Sequence, residues 1–277
     1  MNENIFEIEN LKCAYSKRPE LENRVLDIEH LNIPKGKMVF FVGPSGIGKS
    51  TILEVLGFMN DTVVSVDKFL YKGNDVSRVW LEWNDDRLSE FRNKEFSFIF
   101  QDNNLMSNFT AYENVMITAM FQGKDRETAF FETKQILKDL NVPYEQDRSI
   151  RYYSGGQRQR LAFARAILPD FNVLFGDEPT GNLDKGSAEN VTRILQSKVR
   201  ERNVTAIIVS HDMRLAEKYA DMIVQIQRKE RKIGDKSDHY GCINDNGIFC
   251  KDDNGWYDQT KKRYTDEEFL KKLEDAL

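Results

Sequence analysis

The sequence predicts a mixed α/β fold built around a parallel sheet. Three apolar runs, Met38–Val42, 173–175 and Thr205–Val209, are strand-sized, and each leads through a glycine or polar turn into a helix-forming stretch. That strand-then-helix order is what parallel crossover connections require. A β-rich start precedes these runs, and helix formers dominate from Asn103 to about Leu140. These features add an antiparallel β region and a helical layer.

In chain order, residues 5–15 and 25–33 read as two strands separated by a polar loop at 16–23. Pro34, Lys35, Gly36 and Lys37 make a turn into the buried strand Met38–Val42, and residues 49–59 have helical periodicity. A further helix over 154–168 opens on two glycines. Composition changes near Arg228: a charged run at 228–232, read as a solvated linker, gives way to Gly, Asn and Asp clusters. Asn246-Gly247 and Asn254-Gly255 are the strongest short hairpin turns there, because both central positions tolerate positive φ. They predict a three-stranded meander with Ile243 opposite Cys250 and Cys242 opposite Lys251, so that the two cysteines project from opposite faces. Thr265 and Glu268 have capping-box spacing for a last helix through Ala276. This tail is expected to pack on the rest of the chain or on a partner, and its deletion to spare catalysis.

Composition narrows the function. With 40% hydrophobic and 31% charged residues in 277, the chain is not disordered as a whole. A net charge of -5 gives no basic excess for nucleic-acid phosphate. The three cysteines, Cys13, Cys242 and Cys250, cannot all pair within one chain and suit a reducing compartment. His239, Cys242 and Cys250 lack a fourth ligand and a standard zinc spacing. The first residues lack the basic start and apolar core of a signal peptide, and no window approaches the roughly 18 to 20 apolar residues of a membrane span. Any membrane role is expected to come through a partner.

Gly43-Pro44-Ser45-Gly46-Ile47-Gly48-Lys49-Ser50 satisfies the phosphate-loop pattern between a predicted strand and a predicted helix, the setting that pattern needs. Its glycines let backbone N–H groups curl around phosphates, Lys49 reaches the β- and γ-phosphates, Ser50 offers a hydroxyl to Mg²⁺, and the helix N-terminus adds a favourable field. Downstream, an apolar strand ends in Asp177 and Glu178. Asp177 is expected to bind Mg²⁺ through water and Glu178 to orient the attacking water, since phosphoryl transfer needs a positioned nucleophile and charge neutralisation.

Between these motifs stands Tyr153-Ser154-Gly155-Gly156-Gln157, and here the sequence resembles the ATP-binding-cassette ATPases. Gln101 matches the family's glutamine loop, Asp184 in Gly181-Asn182-Leu183-Asp184 its D-loop, and His211 its switch histidine. Tyr15, 28 residues before Gly43, falls where the family stacks an aromatic on adenine. The resemblance covers roughly residues 4–227. It implies a P-loop NTPase with a RecA-like core, an antiparallel β subdomain and a helical subdomain at about 102–165, all within a cassette at 1–227, plus a C-terminal appendix at 228–277. It implies ATP and Mg²⁺ as cofactors and Glu178, His211 and Gln101 as the catalytic group, with His211 sensing the γ-phosphate and Gln101 joining Ser50 and Asp177 at the metal. Nucleotide contacts are expected from Tyr15, the loop 43–50, Thr51, Ser154, Gly155, Gly156, Gln157 and Asp184.

Phe100-Gln101, Asn104-Leu105, the stretch 110–115 and the stretch 177–184 are similar to the group of lipoprotein-releasing, macrolide-exporter and cell-division ATPases. Tyr153 departs from the family's usual leucine, and Ser149-Ile150-Arg151-Tyr152 from its proline-containing approach. The resemblance implies a dimer, with each ATP held between Lys49 of one chain and Ser154 of the other. It further implies a transmembrane partner docking near Gln101 and a cytoplasmic place on the inner face of the cell membrane. Direct nucleic-acid binding is not expected. Two other readings stay open: an ATPase that regulates cell-wall enzymes through a membrane partner, and a soluble cassette acting on nucleic acid or ribosomes.

Overall fold

The computed structural model describes residues 3–16, 24–82, 84–143, 149–233 and 236–274. Strands β1 (Asn4–Ala14) and β2 (Arg24–Pro34) pair antiparallel, with Ile8 opposite Leu31 and Leu11 opposite Ile28. Most of the loop expected between them lies outside the described residues. Strand β3 (Met38–Val42) is buried along its whole length. Helix α1 (Lys49–Leu56) starts after Gly48 and stops at Gly57, short of the expected residue 59. It stops because Phe58 takes a left-handed φ of 58° and turns the chain so that the Met59 N–H donates to the Glu54 carbonyl at 2.8 Å.

Residues 63–95, unread in the sequence, form β4 (Val63–Ser65), β5 (Lys68–Tyr71), β6 (Asn74–Asp75), α2 (Ser77–Leu81) and α3 (Asp85–Glu95). An aromatic cluster holds them: Phe58 makes edge contacts to Tyr71, Trp80 and Phe96 at 6.1, 6.1 and 5.2 Å.

After β7 (Phe96–Ile99) come α4 (Ala111–Phe121), α5 (Arg126–Asp139) and α6 (Gly155–Ile167), the helical layer. Local chemistry starts each helix. Thr110 and Glu113 close a capping box on α4, Asp125 caps α5, and Ser154 with Gln157 closes a second box on α6. Tyr153 is buried, and its hydroxyl donates to the Pro143 carbonyl at 2.6 Å, a bond a leucine could not make.

The chain continues through β8 (Val173–Asp177), α7 (Lys185–Arg202), β9 (Thr205–Val209), α8 (Met213–Tyr219) and β10 (Met222–Gln225). It then forms β11 (Gln227–Ile233), β12 (Lys236–Ile243), β13 (Ile248–Asp252), β14 (Gly255–Asp258), β15 (Arg263–Tyr264) and α9 (Asp266–Glu274). Among the described residues these strands make two sheets. One runs β11-β12-β2-β1-β5-β6 with β4 beside β1; the other runs β15-β14-β13-β10-β3-β9-β8-β7. In the second, β10, β3, β9, β8 and β7 are all parallel.

Alternation within the apolar runs explains the layering. Met38, Phe40 and Val42 pack with the helical layer, whereas Val39 and Phe41 pack with α1 and the first sheet. A parallel strand buried on both faces therefore reads as a continuous apolar run.

The tail corrects several expectations. Residues 228–232 belong to an edge strand, β11, rather than a linker. Asn246-Gly247 closes no hairpin. Asn244 accepts from the Asn246 N–H at 3.1 Å in a 3₁₀ turn over Asp245–Gly247, and the chain passes from one sheet to the other. β12 instead runs parallel to β2, with Cys242 opposite Asp27, and β13 pairs with β10, with Cys250 opposite Met222. Buried apolar residues decide this: Ile243, Ile248 and Phe249 are each at most 2% exposed, and each reaches a core through its own sheet. The meander is β13-β14-β15, its first turn closing across Asp253 and Asn254 with Asp252 opposite Gly255. Cys242 and Cys250 are free thiols in different sheets. The Thr265–Glu268 capping box forms, with bonds of 3.0 and 3.2 Å; residue 276 lies outside the described residues.

Truncation after Arg228 would strip β10 of its antiparallel partner and remove Phe249, Trp256 and Phe269 from the main core. The expectation that it spares catalysis is therefore withdrawn. Trp256 is fully buried, stacks on Phe269 at 4.3 Å and donates to Glu217 at 3.4 Å. Trp256→Ala should cost about 3–5 kcal/mol of stability, measured by denaturant unfolding. A loss below about 1 kcal/mol would mean the tail is not part of this core.

Candidate active site

The phosphate loop joins the end of β3 to the start of α1. Gly46 and Gly48 take φ values of 74° and 99°, which a side chain would strain, and so turn successive N–H groups toward one side. Ser45, Gly46 and Ser50 are exposed, whereas Ile47, Lys49 and Thr51 are buried. The Lys49 ammonium is 2.8 Å from the Gly43 carbonyl and 2.7 Å from that of Pro44. Burial pulls its pKa below the ordinary lysine value, and the carboxylates of Glu178 and Asp177 oppose that pull.

β8 delivers Asp177 and Glu178 beside the loop. The Ser50 hydroxyl donates to Asp177 Oδ2 at 2.8 Å, so the two oxygens expected at Mg²⁺ already adjoin. Glu178 has a left-handed φ of 48°, and its backbone is tied down: its N–H donates to Val209, and its carbonyl accepts from Gly181 and from the Gln159 amide. Its Oε1 lies 2.8 Å from His211 Nε2, which joins the ends of two parallel strands, β8 and β9, in one pair. Glu178, Gly181, Ser210, His211 and Asp212 line an open cleft of about 590 Å³, which Glu274 of α9 also reaches.

The remaining expected residues lie around this centre. Gln101 is exposed, two residues past β7. Tyr15 follows β1 and is 72% exposed, available to a planar ligand. Ser154 and Gly155 are exposed at the start of α6, with Gly156 partly covered, and the Gln157 side chain is spent on the Ser154 cap at 2.9 Å. Asp184 caps α7, and hydrogen bonds from Ser187 hold its carboxyl below the usual carboxylate range.

Sequence reasoning passed over one residue in this group. Gln159 is 2% exposed; its amide donates to the Glu178 carbonyl at 3.1 Å and its oxygen accepts from the Asn182 N–H at 2.8 Å. It ties α6 to both the carboxylate turn and the D-loop. The signal was there, a glutamine at helical spacing from the apolar Ala162 and Phe163.

A glycine loop at a helix N-terminus, a hydroxyl and carboxylate sharing one point, and a second acid paired with histidine define a P-loop nucleoside triphosphatase. The chain belongs to the ABC transporter family, whose pattern matches residues 26–181. It is similar to the lipoprotein-releasing system ATP-binding protein LolD of Colwellia psychrerythraea, at 32% identity over 229 residues, covering 82% of this chain and 86% of that one. The LolD of Myxococcus xanthus is 37% identical over 186 residues, 67% of this chain and 80% of that one. The macrolide export ATP-binding/permease protein MacB of a Shewanella species is 37% identical over 208 residues, but this chain spans only 31% of its length. Among solved structures, the dimeric post-hydrolysis state of the ATP-binding cassette MJ0796, bound to ADP and Pi, superposes with a TM-score of 0.70 at 27% identity, covering 79% of this chain and 93% of that one. The protein is an ATPase, and its cofactors are ATP and Mg²⁺. The loop geometry and the Ser50–Asp177 contact fit that pair.

Proposed function

We propose that this chain is the nucleotide-binding subunit of an envelope transporter: two copies close around two ATP molecules, hydrolysis reopens them, and the cycle moves a membrane-embedded partner. In this reading Lys49 and the loop amides hold the β- and γ-phosphates, Ser50, Asp177 and Gln101 serve Mg²⁺, and Tyr15 stacks on the base. Glu178 takes the proton of the attacking water while His211 and Gln101 hold the γ-phosphate side. The second chain brings Ser154, Gly155, Gly156 and Gln157 of its signature segment to the same nucleotide, with Asp184 nearby.

The observation that carries the proposal is that each chain exposes two unlike helix starts, the loop before α1 and the start of α6, which in this reading are its two phosphate-binding ends. Among the described residues no helix is long and apolar enough to cross a membrane; in this reading the moving partner is the membrane-embedded element. The helical layer offers it a seat. Phe121 is 84% and Phe131 70% exposed, and a groove beside Phe121 is lined by Phe98, Phe100, Arg92 and Arg165. In this reading the subunit sits on the inner face of the cell membrane and makes no direct contact with nucleic acid.

Affinity purification of the tagged chain from detergent-solubilised membranes should retain a membrane protein, and Phe121→Asp should release it while leaving basal ATP turnover intact. Recovery of the chain without any membrane protein, in the presence of ATP, would count against the reading. Turnover by the retained complex should rise with its cargo; a partner that acts on cell-wall enzymes would give no such rise.

A further inference from the structure

The phosphate loop needs its N–H groups on one side, and what lies on its other side fixes how it can curl. Three backbone segments press there. Val25 of β2 lies with its carbonyl 3.3 Å from where a Cβ on Gly48 would sit. The Ile226 carbonyl, between β10 and β11, is 2.9 Å from the corresponding point on Gly43. Gly241 of β12 is closest of all: a Cβ there would lie 2.2 Å from the carbonyl oxygen of Ile47, inside the loop, and 2.8 Å from Ile226 Cγ2. A separation of 2.2 Å from backbone is impossible for a real side chain, so an added methyl must move either the strand or the loop.

The strand is the harder of the two to move. Gly241 is held opposite Leu26 of β2 on one side and opposite Arg228 of β11 on the other. Two ladders therefore lock its position, while the loop it touches is free on its outer face at Ser45 and Gly46. Ile47, the residue between them, is buried in the core shared by Leu26, Ile226 and Ile243.

We propose that the β11–β12 hairpin is a positioning element for nucleotide binding: Gly241, seated against Ile47, sets the curl of the phosphate loop from behind. The inference rests on residues 43–50 being the phosphate cradle. It explains why a charged hairpin leaves β10 to join the other sheet before the chain returns as β13. The hairpin touches no nucleotide in this scheme; its effect passes through the orientation of the loop amides.

Gly241→Ala should raise the KM for ATP by about tenfold or more while kcat at saturating MgATP stays within about threefold of the parent, because the loop is displaced and Glu178 is not. Gly36→Ala is the control. A Cβ there would meet Asn203 Oδ1 at 2.2 Å, a comparable clash, but before β3, at the strand end away from the phosphate loop. It should lower the melting temperature without moving KM. If Gly241→Ala does not fold, Ile226→Ala removes atoms from the same wall and should raise KM severalfold. An unchanged KM in whichever of the Gly241 and Ile226 variants folds, or an equal rise in the Gly36 control, overturns the proposal. Loss of fluorescent ATP-analogue binding in Lys49→Ala tests the cradle separately, so that failure of that premise is distinguishable from failure of the hairpin's role.

Discussion

Replacing Glu178 with glutamine should lower ATP turnover by about 10²-fold or more while leaving ATP bound. The substitution keeps the shape of the side chain and its capacity to meet His211, which lies 2.8 Å from Oε1. It removes the negative charge and the basicity that orient and deprotonate a water. The backbone is not expected to change. Its left-handed φ of 48° is imposed by bonds from Glu178 N–H to Val209 and from Gly181 and Gln159 to the Glu178 carbonyl, none of which involves the carboxylate. Affinity for MgATP, set by Lys49, Ser50 and Asp177 in the proposed scheme, should stay within a few fold of the parent. If hydrolysis reopens the closed pair, as proposed, the variant should also accumulate as a dimer with MgATP, visible by size-exclusion chromatography. A variant that binds MgATP yet elutes only as a monomer would count against the nucleotide sandwich, and one that turns over at the parental rate would remove Glu178 from the chemistry.

The parallel core was legible because burial on both faces writes a distinctive pattern. Met38–Val42 and Thr205–Val209 are apolar at every position apart from the starting threonine, and Gly43 follows the first and Ser210-His211 the second. Helix starts were legible for a different reason. Caps such as Ser154 with Gln157 and Thr265 with Glu268 are local chemistry, satisfied within four residues. The edge strand β11 was not legible. Its sequence Gln-Arg-Lys-Glu-Arg-Lys-Ile carries charge along an edge, where charge blunts unwanted pairing, so it has no apolar period to read. Asn246-Gly247 misled because turn propensity is worth little against burial. Pairing β12 with β2 and β13 with β10 places Ile243, Ile248 and Phe249 in cores, which a local hairpin would not do. Glu178 and His211 could be named from motif order, but the ties that hold Glu178 in its turn depend on Gln159, which is remote in sequence and joined only by folding.

The proposed dimer makes a sharper demand. In one chain the start of α6 has the D-loop beside it, since a Cβ on Gly156 would lie 3.3 Å from the Asn182 carbonyl, whereas the phosphate loop is flanked by Val25, Ile226 and Gly241. The two ends therefore have different neighbours within a chain, and in the proposed scheme a second chain brings them together on one nucleotide. Lys49→Ala should abolish turnover by removing the one ammonium at the loop. Ser154→Arg should do so by placing a bulky cation where the partner's phosphates belong; losing the cap hydroxyl costs only about 1 kcal/mol, so the chain still folds. Mixing the two inactive chains should restore activity. A mixed dimer has one site with the intact Lys49 of one chain and the intact Ser154 of the other, and one site with both defects. If chains pair at random and sites act independently, half the dimers are mixed and each has one good site, giving roughly a quarter of parental turnover. A site requirement that both nucleotides be hydrolysed together would reduce that figure, but any value above the separate variants establishes sharing. Mixed chains that pair, as shown by co-purification of two different tags, and yet never exceed either variant alone would mean that Lys49 and Ser154 of different chains do not meet on one ATP.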